Sequence, residues 1–215
     1  MAGLRAEPAP DLQYLADNLP AACERAVDGV GRIAEIVQSL KEFAHADPEA
    51  MCPVDLRRVI GNTLVVARSE YKYIARLTTD LADVPDVPCH ATLISQVVLN
   101  LIVNAAHAIA DSTRPAGELG TITVRTYQEG DRVVIAVADT GCGIPEPVRH
   151  RIFDPFFTTK EVGRGTGLGL SFVHNVVVKV HGGSVSFQTE CGRGTTFCVR
   201  LPLQRDSDTQ RVAAA

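Results

Sequence analysis

From Leu12 onward the apolar positions Leu12, Leu15, Leu19, Ala22, Ala26, Gly29, Ile33, Ile36, Leu40 and Phe43 alternate steps of three and four. That spacing predicts a long amphipathic helix with a coiled-coil-like seam. A second stripe, Cys23, Val27, Val30, Ala34 and Val37, runs beside the first, so the apolar face is too wide for a two-stranded coil and suits a four-helix bundle. Such a bundle needs helices that this chain does not supply; packing of the helix on its own globular domain is the alternative. Pro20 after Asn18 marks a cap and first turn, which makes Leu12 to Leu19 a separate lead-in.

Asp47-Pro48-Glu49 and Cys52-Pro53 break the pattern, because a residue before proline is pushed out of the helical region. A domain boundary is expected there. Beyond it the periodicity predicts helices over Asp55 to Tyr73, Thr92 to Ala110 and Leu168 to His181, the last stopped by Gly182-Gly183. Strands are expected at Ala75 to Asp80, Thr121 to Tyr127, Arg132 to Ala138, Ser184 to Thr189 and Thr195 to Leu201, with a turn at Glu129-Gly130-Asp131. Helices and strands in this order give an α/β fold, a two-layer α/β sandwich preceded by the long helix. Residues 1–11 read as a disordered or tag-like N-terminus, 12–47 as the helix, 53–203 as the globular domain and 204–215 as a tail too polar and alanine-rich to offset its ordering entropy.

Composition narrows the partners. With 21 Lys and Arg against 25 Asp and Glu the formal net charge is −4, so no excess of cations is available to neutralise a phosphate backbone, and nucleic acid is not an expected partner. The six cysteines show no Cys-x-x-Cys or His-Cys metal spacing and read as reduced, structural thiols. Apolar runs such as Val97 to Val103 and Val176 to Val180 fall short of a bilayer span, and the N-terminus lacks a charged-then-apolar signal. A soluble, cytoplasmic chain is expected.

Two glycine-rich elements carry the candidate chemistry: Asp139-Thr140-Gly141-Cys142-Gly143-Ile144, and Gly163-Arg164-Gly165-Thr166-Gly167-Leu168-Gly169-Leu170. Either alone is compatible with an ordinary turn or flexible loop; in this order, around an aromatic stretch, they point to a nucleotide. On the Thr92 to Ala110 helix, Asn100 and Asn104 lie four apart on one face, with His107 further along. Capping and packing are one account of that amide pair. The other is that amide oxygens complete a Mg²⁺ shell whose remaining ligands are phosphate oxygens and water. The Asp139 carboxylate suits the exocyclic amino group of adenine, whereas guanine presents an acceptor there, so ATP is favoured over GTP. Gly141 and Gly143 are expected to allow positive φ and close approach to the base. Gly165, Gly167 and Gly169 are expected to do the same for phosphate ahead of a helix, with Lys160 and Arg164 adding charge. Phe153, Pro155, Phe156 and Phe157 are too apolar for a solvated loop, and with Thr158-Thr159-Lys160 they read as a hinged lid with an aromatic anchor.

Taken together, Asn100 through Asn104-Ala105-Ala106, Asp139-x-Gly141-x-Gly143, Arg151 through Lys160 and Gly165-Thr166-Gly167-Leu168-Gly169-Leu170 resemble the four ordered boxes of the catalytic domain of sensor histidine kinases. The Phe-Phe-Thr-Thr-Lys form is most similar to the nitrogen-regulation type. The resemblance covers about Pro53 to Pro202 and implies the Bergerat-type ATP-binding fold shared with DNA gyrase, the mismatch-repair ATPases and heat-shock chaperones. It implies Asn100 and Asn104 at metal and phosphates, Asp139 at adenine, and Gly141, Gly143 and Ile144 at the base. Phe157, Thr158, Thr159, Lys160, Arg164 and Gly165 to Leu170 belong on this reading to the lid and phosphates, and Thr196 matches a polar position near adenine. Asn100 and Lys160 are the expected catalytic residues, and ATP with Mg²⁺ the expected cofactors.

The same resemblance makes Leu12 to Phe43 similar to the second helix of a dimerisation hairpin, able to form a homodimer through residues 12–47. The family's acceptor histidine is followed by an acidic residue; His45, His90, His107, His150, His174 and His181 are followed by Ala, Ala, Ala, Arg, Asn and Gly. None fits. The expected function is therefore transfer of the γ-phosphoryl group of ATP to a histidine held elsewhere, with a response-regulator receiver domain as the later partner. A conformational ATPase or nucleotide-gated dimerisation module of the same fold is the alternative. Hydrolytic relatives carry a water-activating glutamate four residues before the magnesium asparagine, where this chain has Asn100, which cannot accept that proton.

Overall fold

The computed structural model describes residues 51–115, 117–160 and 165–204, together with helical residues Tyr14, 18–20, 22, 23, 29 and 30. Most of the expected 12–47 helix, Arg164 and the tail beyond residue 204 lie outside the described residues.

A short strand β1 (Cys52–Val54) enters the domain and is followed by helices α1 (Leu56–Val66) and α2 (Arg68–Tyr71). Asp55 starts α1 by accepting the Arg58 amide at 3.3 Å, the N-cap role of a short acidic side chain. The expected single helix to Tyr73 is thus interrupted at Ala67. Strands β2 (Ala75–Leu81) and β3 (Val87–Cys89) lead into α3 (Ala91–Ala110), after which come the hairpin strands β4 (Gly120–Glu129) and β5 (Arg132–Asp139). A 3-10 turn at Glu146–Val148 precedes the aromatic stretch; α4 (Gly169–His174) runs into a π-helical turn at Asn175–Val180, and β6 (Ser184–Glu190) and β7 (Gly194–Pro202) close the domain.

Five strands form one sheet in the order β2-β4-β5-β7-β6, with β2 parallel to β4 and the remaining neighbours antiparallel. The parallel pair needs a crossover, which α3 provides. The tight β4–β5 turn pairs Glu129 with Arg132 and is made possible by Gly130 at φ 63°. Along the sheet, Ile122, Val124, Val133, Ile135, Val137, Phe197, Val199 and Leu201 turn their buried side chains to one face. Helices α3 and α4 pack there, and α1 packs on α3. This is the expected two-layer α/β sandwich.

Helix α3 is long and apolar enough to cross a bilayer, with a mean hydropathy of 1.7, a length of apolar run underestimated by stopping at its polar positions. It is a core helix instead: Ile94, Val97, Val98, Leu101, Ile102, Ala105, Ala106 and Ile109 are buried against the domain. Its start is tied to the end of α4. The His90 amide donates to His181 Nε2 at 3.1 Å, so His181 carries its proton on Nδ1 and donates it to the Val176 carbonyl at 2.8 Å. The Val176 carbonyl also accepts the His181 amide, the five-residue return of a π turn, which is where the expected uniform helix to His181 departs from α geometry.

Strands β1 and β3 pair antiparallel as a separate ribbon that periodicity does not reveal, since each is three residues long with a proline at its centre. Pro53 and Pro88 face one another, at a non-hydrogen-bonded site where neither needs an amide proton.

Replacing Leu101, 1% exposed on α3, by alanine should lower the unfolding free energy by about 2–5 kcal/mol in urea titration, because the sheet and α1 cannot both collapse into the space. A cost below about 1 kcal/mol would mean that α3 is not the core helix.

Candidate nucleotide site

The polar face of α3 forms one wall. Asn100, Asn104 and His107 are half-buried on that face, between apolar residues that point into the core. Asn100 Nδ2 donates back to the Gln96 carbonyl at 3.0 Å, using one of its two N–H donors and turning the amide oxygen the other way. That oxygen meets α4: a β-carbon on Gly169 would lie 2.9 Å from Asn100 Oδ1 and 3.7 Å from Asn104 Nδ2. The asparagine helix and the second glycine element are therefore one surface, although 65 to 69 positions separate them in the chain.

Asp139 ends β5, where its Oδ1 accepts the Gly141 amide at 2.7 Å and the Thr195 amide at 3.3 Å. Oδ2 is left to accept from a ligand. Burial pushes the carboxyl above its ordinary value, partly countered by the two amides and the Arg114 charge. The turn after Asp139 is held from both sides. The Cys142 amide donates to the Ala108 carbonyl of α3 at 3.0 Å, and the Cys142 carbonyl accepts the Gly192 amide of the β6–β7 turn at 2.8 Å. The two glycines of this turn serve these protein contacts, which corrects the expectation that both supply positive φ. A β-carbon on Gly141 would lie 2.6 Å from the Ala108 backbone, while Gly143 has φ 74° and would meet the Glu190 carbonyl at 2.4 Å. Next along, the Ile144 amide donates to Thr189 Oγ1 at 2.8 Å.

The aromatic stretch divides its labour. Phe153 packs on His174 and Phe187 with centroids 5.4 and 6.1 Å away, and Phe157 lies under the Arg151 guanidinium at 4.5 Å. Phe156 is 63% exposed at φ 64°, a conformation that a bulky residue rarely adopts, so it is not part of the anchor expected there. Its backbone lies against Gly167, itself at φ 68°, where a β-carbon would come within 2.4 Å of the Phe156 carbonyl carbon. Of the three phosphate-loop glycines only Gly167 has a positive φ, so the expectation for Gly165 and Gly169 is corrected. Gly165 packs against Thr158 and Lys160, Thr166 accepts the Leu168 amide, and Leu168 is buried at the foot of α4 with Leu170 half-buried beyond it. Thr158 and Thr159 are exposed, and Lys160 Nζ donates to His107 Nδ1 at 2.6 Å, joining the lid to α3.

One expected residue does not share the side of the sheet that Asp139 faces. In the β5–β7 register Asp139 faces Thr195, whereas Thr196 faces Ala138 and Gln188 on the opposite side of the sheet. Thr195 and Thr189, which share the inner side and lie 3.0 Å apart by their hydroxyls, are the residues that the sequence reading missed. The alternation of the strand, with Phe197 inward, was the signal that would have found Thr195. An open hollow of about 320 Å³ adjoins Asp139 along Gln188, Glu190, Arg193 and Thr196.

Residues 89–205 match the family described as histidine kinase-, DNA gyrase B- and HSP90-like ATPases. This chain belongs to that family. Within it, the chain is 37% identical over 195 residues to the sensor kinase CckA of Brucella abortus (strain 2308), a match covering 85% of this chain and 20% of that protein. It is 30% identical over 217 residues to the sensory histidine kinase/phosphatase NtrB of Rhizobium leguminosarum bv. phaseoli, covering 94% of this chain and 55% of that one. Its structure is similar to the catalytic domain of the histidine kinase ThkA, with a TM-score of 0.60 and 29% identity over 72% of this chain and 99% of that domain. A ThkA structure in complex with the response regulator protein TrrA shares the fold at a TM-score of 0.64 and 23% identity, covering 92% of this chain and 53% of that one. The chain thus spans about a fifth to about half the length of these relatives, and it contains the ATP-binding domain of a sensor histidine kinase.

A carboxyl raised on folding contributes stability below the ordinary carboxylate range and loses it as the pH rises through the folded value. Asp139→Asn, which keeps an acceptor for both amides, should therefore melt at a temperature that rises relative to the parent as the pH is raised from about 3 to about 7. A difference that falls with pH in differential scanning calorimetry would show that the two amides, and not burial, dominate.

Proposed function

We propose that this domain binds Mg-ATP and transfers its γ-phosphoryl group to a histidine presented by another helix. The observation that carries the reading is convergence: Asn100 and Asn104 meet Gly169, Lys160 meets His107, and the Asp139 turn closes on Ala108, all along one stretch of α3. Asp139 Oδ2 accepts the adenine amino proton, with Thr195 rather than Thr196 beside it. The Asn100 and Asn104 amide oxygens act as neutral ligands for magnesium, which suits a metal already held by phosphate oxygens. Asn100 is fitted for this, because its nitrogen is already committed to Gln96. The ion, when bound, neutralises part of the phosphate charge.

Transfer then rests on placement and charge. Lys160 sits at the hinge between lid and α3, where its ammonium reaches the phosphates when the lid closes, and His107 is the group it leaves. Arg164 adds charge from the same loop. The attacking imidazole brings its own nucleophilic nitrogen, so no base is required here. Among the described histidines, His181 is engaged in the α3–α4 junction and His174 packs on Phe153, and none of them is followed by an acidic residue, so the acceptor is proposed on another helix. Residues 12–47 are proposed as the second helix of the dimerisation hairpin, the receiver domain of a response regulator as the final partner, and the cytoplasm as the compartment that supplies ATP.

With γ-labelled ATP and Mg²⁺, this chain alone should bind nucleotide, stay free of acid-labile label and release phosphate slowly. Adding a dimerisation hairpin with a histidine followed by an acidic residue should place label on that hairpin. Rapid phosphate release without it would favour the conformational ATPase. In calorimetric titration Asn104→Ala should weaken Mg-ATP binding by about tenfold or more, and GTP should bind the parent at least about a hundredfold more weakly than ATP.

Gly167→Ala should lower ATP affinity and also lower the urea midpoint, since alanine is strained at φ 68° and its β-carbon would meet the Phe156 backbone. Unchanged affinity would separate the lid from binding.

A further inference from the structure

Two of the free cysteines flank one backbone contact at the rim of the site. Cys142 lies in the turn after Asp139 and Cys191 in the turn between β6 and β7, and both are exposed. The Gly192 amide donates to the Cys142 carbonyl at 2.8 Å. The Cys191 Cα lies 3.0 Å from where a β-carbon on Gly143 would sit, which puts the Gly143 and Cys191 α-carbons within about 4.5 Å of each other. Cys142 comes one residue before Gly143, so its α-carbon is within about 8 Å of that of Cys191, and its thiol donates to the Gly143 carbonyl at 3.5 Å. A disulfide asks for α-carbons about 4.4–6.8 Å apart, so a shift of the Cys142 turn by at most about 1–2 Å brings the pair into range with both strands kept.

We propose that Cys142 and Cys191 form a dithiol modification site that a small oxidised thiol, of the glutathione disulfide class, converts to a reversible disulfide. The exposure of Cys191 on its turn gives such a molecule access to it. Burial and the Asp111 carboxylate hold the Cys142 thiol above its ordinary value, so the first attack falls to Cys191. Its thiolate bonds to one sulfur of the reagent and expels the first small thiolate, which takes up a proton. The Cys142 thiolate then attacks Cys191 Sγ and expels the second. Two electrons and two protons pass from the cysteines to the reagent, leaving one protein disulfide and two small thiols.

The pair differs from the other close pair. Cys52 and Cys89 oppose one another across the β1–β3 ribbon, but Cys89 is fully buried and its thiol is pushed up to about 12. With no surface open to a reagent and its thiol raised, Cys89 does not enter the exchange, so that pair stays reduced.

The consequence rests on the ATP reading. A bond between the two turns pulls Cys142 from its present place, and the Gly141 amide that orients Asp139 moves with it. The full chain is equilibrated with glutathione disulfide, then digested and weighed. The expected product joins the Cys142 and Cys191 peptides, lighter by two hydrogens, while Cys89 stays unmodified. Cys142→Ser should instead trap a stable glutathione adduct on Cys191. Oxidised parent should bind a fluorescent ATP analogue about tenfold more weakly, with recovery on reduction and no such loss in Cys142→Ser. Separate peptides, reduced or as stable adducts in the parent, overturn the proposal whatever the nucleotide does; unchanged affinity after full cross-linking overturns its effect on the site. If the reduced chain binds no nucleotide but the linked peptide forms, the ATP reading fails and the thiol site stands.

Discussion

The domain is organised around the need to cover the apolar face of α3. That helix rises about 30 Å at 1.5 Å per residue and offers Ile94, Val97, Val98, Leu101, Ile102 and Ile109 to its neighbours. Each such side chain gains about 1.5–3 kcal/mol on full burial. The sheet takes one side of the helix and α1 another, and α3 is also the crossover that makes β2 and β4 parallel. The strip left uncovered is the polar strip of Asn100, Asn104 and His107. A site built on the back of a core helix inherits its rigidity, so the amides need no loop to hold them.

Against that fixed wall the other parts are movable in different degrees. The Asp139 turn is locked by backbone hydrogen bonds to Ala108 and Gly192, and its glycines exist to let these backbones meet. The lid is held by less. Phe153 and Phe157 are seated, Phe156 is exposed at positive φ against Gly167, and Lys160 rests on His107. A strained, exposed backbone beside a polar contact to α3 is the kind of element that changes place when a better partner for the ammonium arrives. The nucleotide phosphates are that partner in the proposed reaction.

The buried carboxyl of Asp139 illustrates the same division. Two amides and Arg114 favour its charge while burial opposes it. An acceptor kept costly in the empty site is worth most when a donor from the base arrives, because a ligand without that donor leaves the buried group unpaired. In the proposed reaction, discrimination between adenine and guanine follows from what is buried, and it uses no feature of the lid.

Much of this was legible along the chain. The α3 face, the strands of the main sheet and the four motif boxes follow from local pattern, because periodicity and glycine placement are written in consecutive residues. Contacts between distant segments are not. The β1–β3 ribbon is too short to show a period, the π turn depends on His181 meeting the start of α3, and the roles of the glycines depend on which backbone lies opposite. Thr195 replaced Thr196 because a strand's two faces are told apart only when its register with Asp139 is known. The sequence by itself determined the elements, the family and the candidate chemistry, since these depend on residue types at short spacing; tertiary structure alone decided which faces meet, since packing and register are set by residues far apart in the chain.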